Sequence, residues 1–266
     1  GMMLMAAIVA FAVAVLTGSP ALGFVLGAVV GAVMAAAFAW LTVWLGANQV
    51  ACGLALSLFG VGASAYIGLP FTGNSLTVTK LSIPVLKDIP LIGPAFFQQH
   101  YMVYVSWVLC IAVAWFLART RSGLVLRAVG ESPASAHSLG YNVRYIRLGA
   151  LMFGGACCGL AGAFICLVYT PMWVENMVAG RGWIALALTT FATWRPWRVM
   201  LGAYLFGGVT ILTYHAQALG VPVASQLLAM MPYLATIIVL VLISRNANWI
   251  RLNMPASLGK NFNPNN

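Results

Sequence analysis

Charged residues are nearly absent from this chain. No Asp, Glu, Lys or Arg occurs before Lys80, and only 6% of the 266 residues are charged, whereas 62% are hydrophobic. A water-soluble surface cannot be built from so few ionisable side chains. Uninterrupted apolar runs of about 20 residues are long enough to cross a hydrocarbon core about 30 Å thick. The composition therefore indicates a polytopic integral membrane protein.

Short segments that alternate apolar and polar residues, which are typical of a transmembrane β-barrel, are also missing. The apolar runs are long and continuous, and lipid offers the backbone no hydrogen-bond partner, so helices are the expected spanning structure. We predict an all-α, polytopic transmembrane helical bundle that forms a single domain over 1–266, with about eight spans. The apolar segments lie near 1–17, 21–45, 48–68, 101–118, 148–170, 182–194, 199–217 and 227–244.

The few basic residues are distributed unevenly between alternate loops. Ten of the 13 Lys and Arg residues lie in 119–147, in 195–198 or in the C-terminal tail, and three lie in the alternate loops. Short cytoplasmic loops carry the excess of basic residues. We therefore predict that loop 119–147 and the C-terminal tail are cytoplasmic and that 69–100 faces outward. The net charge of +10 then reflects topology and contact with anionic membrane lipid, not binding of nucleic acid.

Groups that support catalysis, metal binding or ion coupling are scarce. The chain has three acidic residues, all in predicted loops, and three widely separated histidines. Ion-driven carriers commonly hold a carboxylate inside the membrane, and metal enzymes need clustered ligands. No HExxH, GxSxG or CxxC motif occurs. We therefore expect a transport subunit without a metal or a catalytic site, energised by another subunit. A lipid-modifying membrane enzyme and an ATP-independent channel or facilitator are the alternatives.

Glycines recur at helical spacing in two apolar segments. Gly23, Gly27 and Gly31 follow one another every four residues, and Gly155 and Gly159 repeat the spacing. Glycines on one helix face allow another helix backbone to approach closely. We predict that these faces pack helices within one subunit, with a subunit interface as the alternative.

Loop 119–147 contains a set of helix-boundary residues. Ser132 is suited to the N-cap, Pro133 to the first helical position and Gly140 to the position after the helix end. The spacing predicts a short helix of about seven residues between Arg-rich flanks. An idle surface helix is the alternative to a docking element. The small residues that would allow close approach by a partner are Ala134, Ser135, Ala136 and Ser138.

At this loop the sequence resembles a known family. The run RAVGESP at 127–133, followed by Ala136, LG at 139–140 and NV at 142–143, is similar to the coupling-loop signature of ABC importer permeases of the ribose, nucleoside and branched-chain amino acid superfamily. The run ANQV at 47–50 resembles a segment of the simple-sugar branch, whose members include nucleoside permeases.

The resemblance extends to both ends of the chain. The run GMMLM at 1–5 resembles the family's second-span motif, so the comparison implies that one N-terminal span is missing. The run PASLGK at 255–260 resembles the C-terminal tail of the branch. Residues 261–266 depart from the family's usual ending, and we expect this departure to matter little.

The resemblance implies a permease subunit of an ATP-driven importer in the bacterial inner membrane. The implied partners are an ABC ATP-binding subunit, a second permease subunit (a paralogue or a copy) and an extracytoplasmic solute-binding protein. The chain lacks a GxxxxGK[ST] loop, so ATP would be bound by the partner and this chain would carry no cofactor. The residues implied to couple to the ATPase are Gly130, Glu131, Ser132, Pro133, Ala134, Ala136, Leu139 and Gly140.

The solute is predicted only by class. A charge-free interior suits a small neutral polar compound, and nucleosides and simple sugars both fit. Asn48 and Gln49 are rare amides between two apolar runs, and Phe59 offers a stacking surface, so we take these three residues as candidates for the translocation path. The alternative is that the amides satisfy the backbone at a helix break and that Phe59 packs or faces lipid.

Overall fold

The computed structural model describes residues 1–77, 99–178, 180–220, 254–260 and 262, with isolated positions between 224 and 241. These described residues are mainly helical, and the β pairing among them is a single bridge between Ser75 and Met172. The helices are α1 (Met2–Thr17), α2 (Pro20–Ala39), α3 (Gln49–Gly68), α4 (Tyr101–Arg119), α5 (Arg121–Glu131), α6 (Pro133–Ser138), α7 (Val143–Phe164), α8 (Arg181–Phe191) and α9 (Pro196–Ala218). The chain continues as a π-helix after α2 (Trp40–Trp44) and after α7 (Ile165–Tyr169), and as a 3-10 turn after α3 (Leu69–Phe71).

Five helical segments in the described part of the chain are long and apolar enough to cross a membrane. The predicted all-α membrane bundle is confirmed. Segments 1–17 and 182–194 appear as α1 and α8, which are shorter at 16 and 11 residues. Half of segment 227–244 lies outside the described residues. The five candidate spans are Pro20–Trp44, Gln49–Phe71, Tyr101–Arg119, Val143–Tyr169 and Pro196–Ala218.

Helix α5 lies inside loop 119–147 and was not predicted. It begins directly after α4, and Thr120 caps its first turn by accepting a hydrogen bond from the Gly123 N–H at 2.9 Å. Its sequence, RSGLVLRAVGE, mixes two arginines, a glutamate and two glycines with four large apolar residues. The long apolar runs from which we predicted helices therefore do not include it, and the Arg-rich flank before the short helix is itself helical.

The residues divide into two compact units. Unit 1 is drawn from 1–107, 128–179 and 259–266, and unit 2 from 108–127 and 180–258. In unit 1, α1, α2 and α7 pack around buried side chains that include Phe11, Phe24 and Cys166. In unit 2, α8 packs against α9, and the Arg198 guanidinium donates a 2.7 Å hydrogen bond to Thr193 Oγ1.

Helices α2 and α7 meet at a glycine seam made of Gly27, Gly31, Gly155 and Gly159. A Cβ atom at Gly155 would collide with the carbonyl oxygen of Gly31, and one at Gly159 would collide with that of Gly27. The two backbones are therefore in direct contact, as close helix packing in membranes requires. The prediction that the glycine faces pack helices within one chain is confirmed.

Candidate functional site

Residues 130–140, here called the coupling segment, form a short helix with well-defined ends. Ser132 is the N-cap of α6, and its Oγ accepts a 3.3 Å hydrogen bond from the Ser135 N–H. Pro133 occupies the first turn, where its missing N–H is no loss. The Gly140 N–H donates to the His137 carbonyl at 2.9 Å. Gly140 has a φ of 86°, a left-handed conformation that favours glycine and that β-branched residues resist. The predicted helix is confirmed, with 6 residues.

The coupling segment is fastened to its neighbours by a small apolar core, here called the coupling cluster. Val129 of α5, Ala136 of α6 and Val143 of α7 are each no more than 2% exposed. Ile146 and Phe262, both partly buried, pack against these three. The cluster thus joins the coupling segment to the first turn of α7, which is a candidate membrane span.

Ala136 does not lie on the surface that we predicted would approach a partner, while its part in coupling to the ATPase stays a prediction. Its methyl group points into the coupling cluster of its own chain, so it cannot contact a partner surface directly. The reason is the helical repeat, because in a single turn only one of the small residues can face inward. The expectation of a partner-facing side chain is corrected for Ala136 and still applies to Ala134, which is exposed.

The outward face of the coupling segment carries small side chains and one large apolar side chain. Leu139 is 75% exposed at the C-terminal end of α6, beside exposed Ala134, Ser135 and Ser138. Within 130–140 the ionisable groups are Glu131 and His137, and both are exposed. An exposed leucine among small side chains can enter an apolar pocket of a partner without steric hindrance.

The tail residue Phe262 is a functional candidate that sequence reasoning missed. It packs against the coupling cluster, and its ring meets the ring of His137 edge to face at a centroid distance of 5.6 Å. The signal available in the sequence was one aromatic residue in an otherwise polar tail, NFNPNN. We expected the departure from the family's ending at 261–266 to matter little, and the contact of Phe262 with α6 is the reason to test that expectation.

Asn48, a predicted path residue, is the N-cap of α3. Its Oδ1 accepts hydrogen bonds from the Val50 N–H at 2.9 Å and from the Ala51 N–H at 3.2 Å. These bonds satisfy two donors that a helix start leaves free. The alternative interpretation, in which the amide completes the backbone at a helix break, is therefore confirmed for Asn48, while Gln49 is half-buried at the first position of α3.

Phe59 is not brought together with the two amides. It lies on the same helix about 16 Å from Asn48 at 1.5 Å per residue, and its side chain is 61% exposed. Helix α3 as a whole is poorly covered by its own chain, because only Gly60, Ser64 and Gly68 are buried on it. Its exposed large side chains are Val50, Leu54, Leu58, Phe59, Val61, Tyr66 and Ile67.

Comparison with known proteins gives one consistent family. Residues 1–243 match the family described as branched-chain amino acid transport system / permease component. The chain is 37% identical, over 99% of its own length and 87% of the relative, to a Haloferax volcanii protein named "Putative glucose ABC transporter permease protein TsgC13". No solved structure matches the chain.

Two further relatives are named for nucleosides. The chain is 37% identical to the nucleoside ABC transporter permease protein NupC of Lactococcus lactis, over 60% of this chain and 52% of the relative. It is 30% identical to the guanosine ABC transporter permease protein NupQ of Bacillus subtilis, over 73% of this chain and 64% of the relative.

Proposed function

We propose that the solute of this chain is a nucleoside or a simple sugar. The premise is that the chain belongs to the branched-chain amino acid transport system / permease component family. It is therefore a multi-pass membrane permease subunit of an ABC importer. Membership of this family sets aside the lipid-modifying enzyme and the ATP-independent channel. The named relatives support a neutral polar solute, since they are named for glucose, nucleosides and guanosine.

The residues of the candidate spans support the same class of solute. The five spanning segments contain no Asp or Glu. An amino acid carries an ammonium group, and moving that charge into an apolar site is unfavourable without an anionic partner. A nucleoside or sugar needs only hydrogen bonds and stacking. Gln49 and Phe59 are retained as candidates for the translocation path together with Asn48, whose Oδ1 is engaged in capping α3.

The contact that supports the coupling role joins α6 to α7. An ATP-binding subunit would dock on the exposed face of the coupling segment, with Leu139 as the apolar anchor. Movement of that subunit would then pass through Ala136 and Val143 into α7. Since α7 is packed on α2 at the glycine seam, the displacement would carry both helices together. ATP itself would be bound by the partner subunit.

Family membership and the contacts of the tail also support proposals for the membrane orientation and for the remaining partners. Loop 119–147 and the C-terminal tail would face the cytoplasm, and the packing of Phe262 on the coupling segment supports a common side for both. The whole chain would serve as one permease domain in the bacterial inner membrane. The exposed apolar side of α3 leaves a face for lipid or for a second permease subunit, and an extracytoplasmic binding protein would deliver the solute.

The test is solute uptake into proteoliposomes that contain this chain with its cognate ATP-binding subunit and second permease subunit. With the binding protein outside and ATP inside, we expect accumulation of labelled guanosine or glucose and none of labelled leucine. A matched subunit carrying Leu139→Asp should reach the same abundance and transport nothing. ATP-dependent uptake of leucine, or no uptake of any nucleoside or sugar, would contradict the proposal.

A further inference from the structure

The C-terminal tail reaches back to the coupling segment and contacts it at more than one point. Phe262 packs against the coupling cluster, and its ring is larger than any side chain of the cluster and than the adjacent Ile146. Its ring also meets His137 of α6 at an interplanar angle of 66°. Both contacts lie within unit 1.

A second part of the tail is fixed to α7. The Arg147 guanidinium donates a 3.0 Å hydrogen bond from Nη1 to the carbonyl oxygen of Lys260. Gly259 has a φ of 74°, a backbone conformation that favours glycine, and it ends the turn at 256–259 just before these contacts. The tail is thus held on α7 through Lys260 and on α6 through Phe262.

The coupling segment needs such support because it is too short to be stable alone. A helix of 6 residues has little intrinsic stability in water, since nucleation is unfavourable. Ala136 is its buried side chain, and one methyl group removes little apolar surface from water. An aromatic ring packed against the cluster that contains this methyl group contributes far more buried area.

We propose that Gly259, Lys260 and Phe262 form a strap that holds the coupling segment in place. We further propose that Phe262 is a positioning residue for coupling between ATP hydrolysis and transport. This inference rests on the proposed function. When the strap is in place, a push on Leu139 moves α6 and α7 together. When it is absent, α6 yields locally and the movement does not reach the membrane span.

The first experiment measures the packing directly, in the membrane-inserted full chain. In a background without native cysteines, Ala136→Cys should react slowly with a thiol reagent applied to inside-out vesicles, because the side chain is covered. Adding Phe262→Ala should raise the labelling rate at least fivefold, and Phe262→Leu should restore slow labelling. The matched control is Leu258→Ala, a tail residue that is 55% exposed, which should leave the rate unchanged.

The second experiment measures coupling in the reconstituted transporter. We expect Phe262→Ala to lower the amount of solute imported per ATP hydrolysed by a factor of three or more, with unchanged membrane abundance and unchanged apparent affinity for the solute. Phe262→Leu should recover the ratio, and Leu258→Ala should match the unsubstituted protein. An unchanged labelling rate or an unchanged transport ratio for Phe262→Ala would overturn the strap. Absence of uptake with the unsubstituted chain would instead contradict the proposed function.

Discussion

Ala136 fastens the coupling segment to the rest of unit 1, and its neighbour Ala134 lies on the opposite, exposed side of the same helical turn. The two alanines therefore allow an internal contact to be separated from a docking contact. A substitution that adds bulk and charge has a different physical consequence at each position.

We predict that Ala136→Arg destabilises the subunit by about 3–5 kcal/mol, because it buries a charge without a partner in the coupling cluster. Thermal unfolding of the purified subunit in detergent should show a lowered Tm, together with lost uptake. Ala134→Arg should leave the Tm unchanged and reduce co-purification of the ATP-binding subunit. An unchanged Tm for Ala136→Arg would contradict the burial of this side chain.

At Gly140, the left-handed backbone limits what can replace the glycine. We predict that Gly140→Val destabilises the end of α6 by about 1–2 kcal/mol, since a β-branched residue resists positive φ. Gly140→Asn is the matched control, because asparagine tolerates that conformation. Limited proteolysis of loop 119–147 should be faster for the valine variant than for the asparagine variant, and equal rates would count against the strained backbone.

The residues at the ends of α6 could be predicted from the sequence, and the residues beneath it could not. Ser132, Pro133 and Gly140 act on the backbone within a few positions of themselves, so their meaning is local. Ala136 is buried in a cluster with Val129 and Val143, and Phe262, which is far away in sequence, packs against that cluster only in the folded chain. No periodicity within 130–140 carries that information.

At the scale of helices, α5 and the glycine seam show how far helices and their packing can be predicted from the sequence. The glycine face of each helix could be predicted, because glycines four residues apart lie on one side of a helix. That α2 pairs with α7 could not be predicted, because the sequence of one helix does not identify its partner. Helix α5 was missed because its arginines and glycines interrupt the apolar pattern. Its cap, Thr120, acts through a single side-chain oxygen.

We predict that Gly159→Val separates α2 from α7, since a side chain there would collide with the Gly27 carbonyl oxygen. The cost should be about 1–3 kcal/mol or more, as for overpacked interiors. Gly154→Ala on the same helix is the control, because a Cβ there meets nothing within 4 Å. The fraction of monodisperse protein after heating in detergent should fall for the first variant and stay level for the second. Equal behaviour of the two variants would mean that the seam is not tightly packed.

At the scale of the whole molecule, the proposed coupling role requires one orientation in the membrane, because loop 119–147 must face the cytoplasm to contact the ATP-binding subunit. Single cysteines at Ser122 and Asn74, in a background without native cysteines, should differ in labelling by an impermeant thiol reagent added to intact cells. We expect labelling at Asn74, in the outward loop, and protection at Ser122, in the cytoplasmic loop. The reverse pattern would overturn the assigned topology.

The glycine seam also restricts how the chain can move during a transport cycle. Where two backbones touch, no flexible side chains lie between them that could change rotamer and so allow the helices to slide. Helices α2 and α7 should therefore move as one rigid body. Alternation between inward-open and outward-open conformations must then use hinges elsewhere in the chain, with α2 and α7 rotating together. A short chemical cross-link between α2 and α7 should consequently leave turnover unaffected, because it would join two helices whose separation we expect to stay constant.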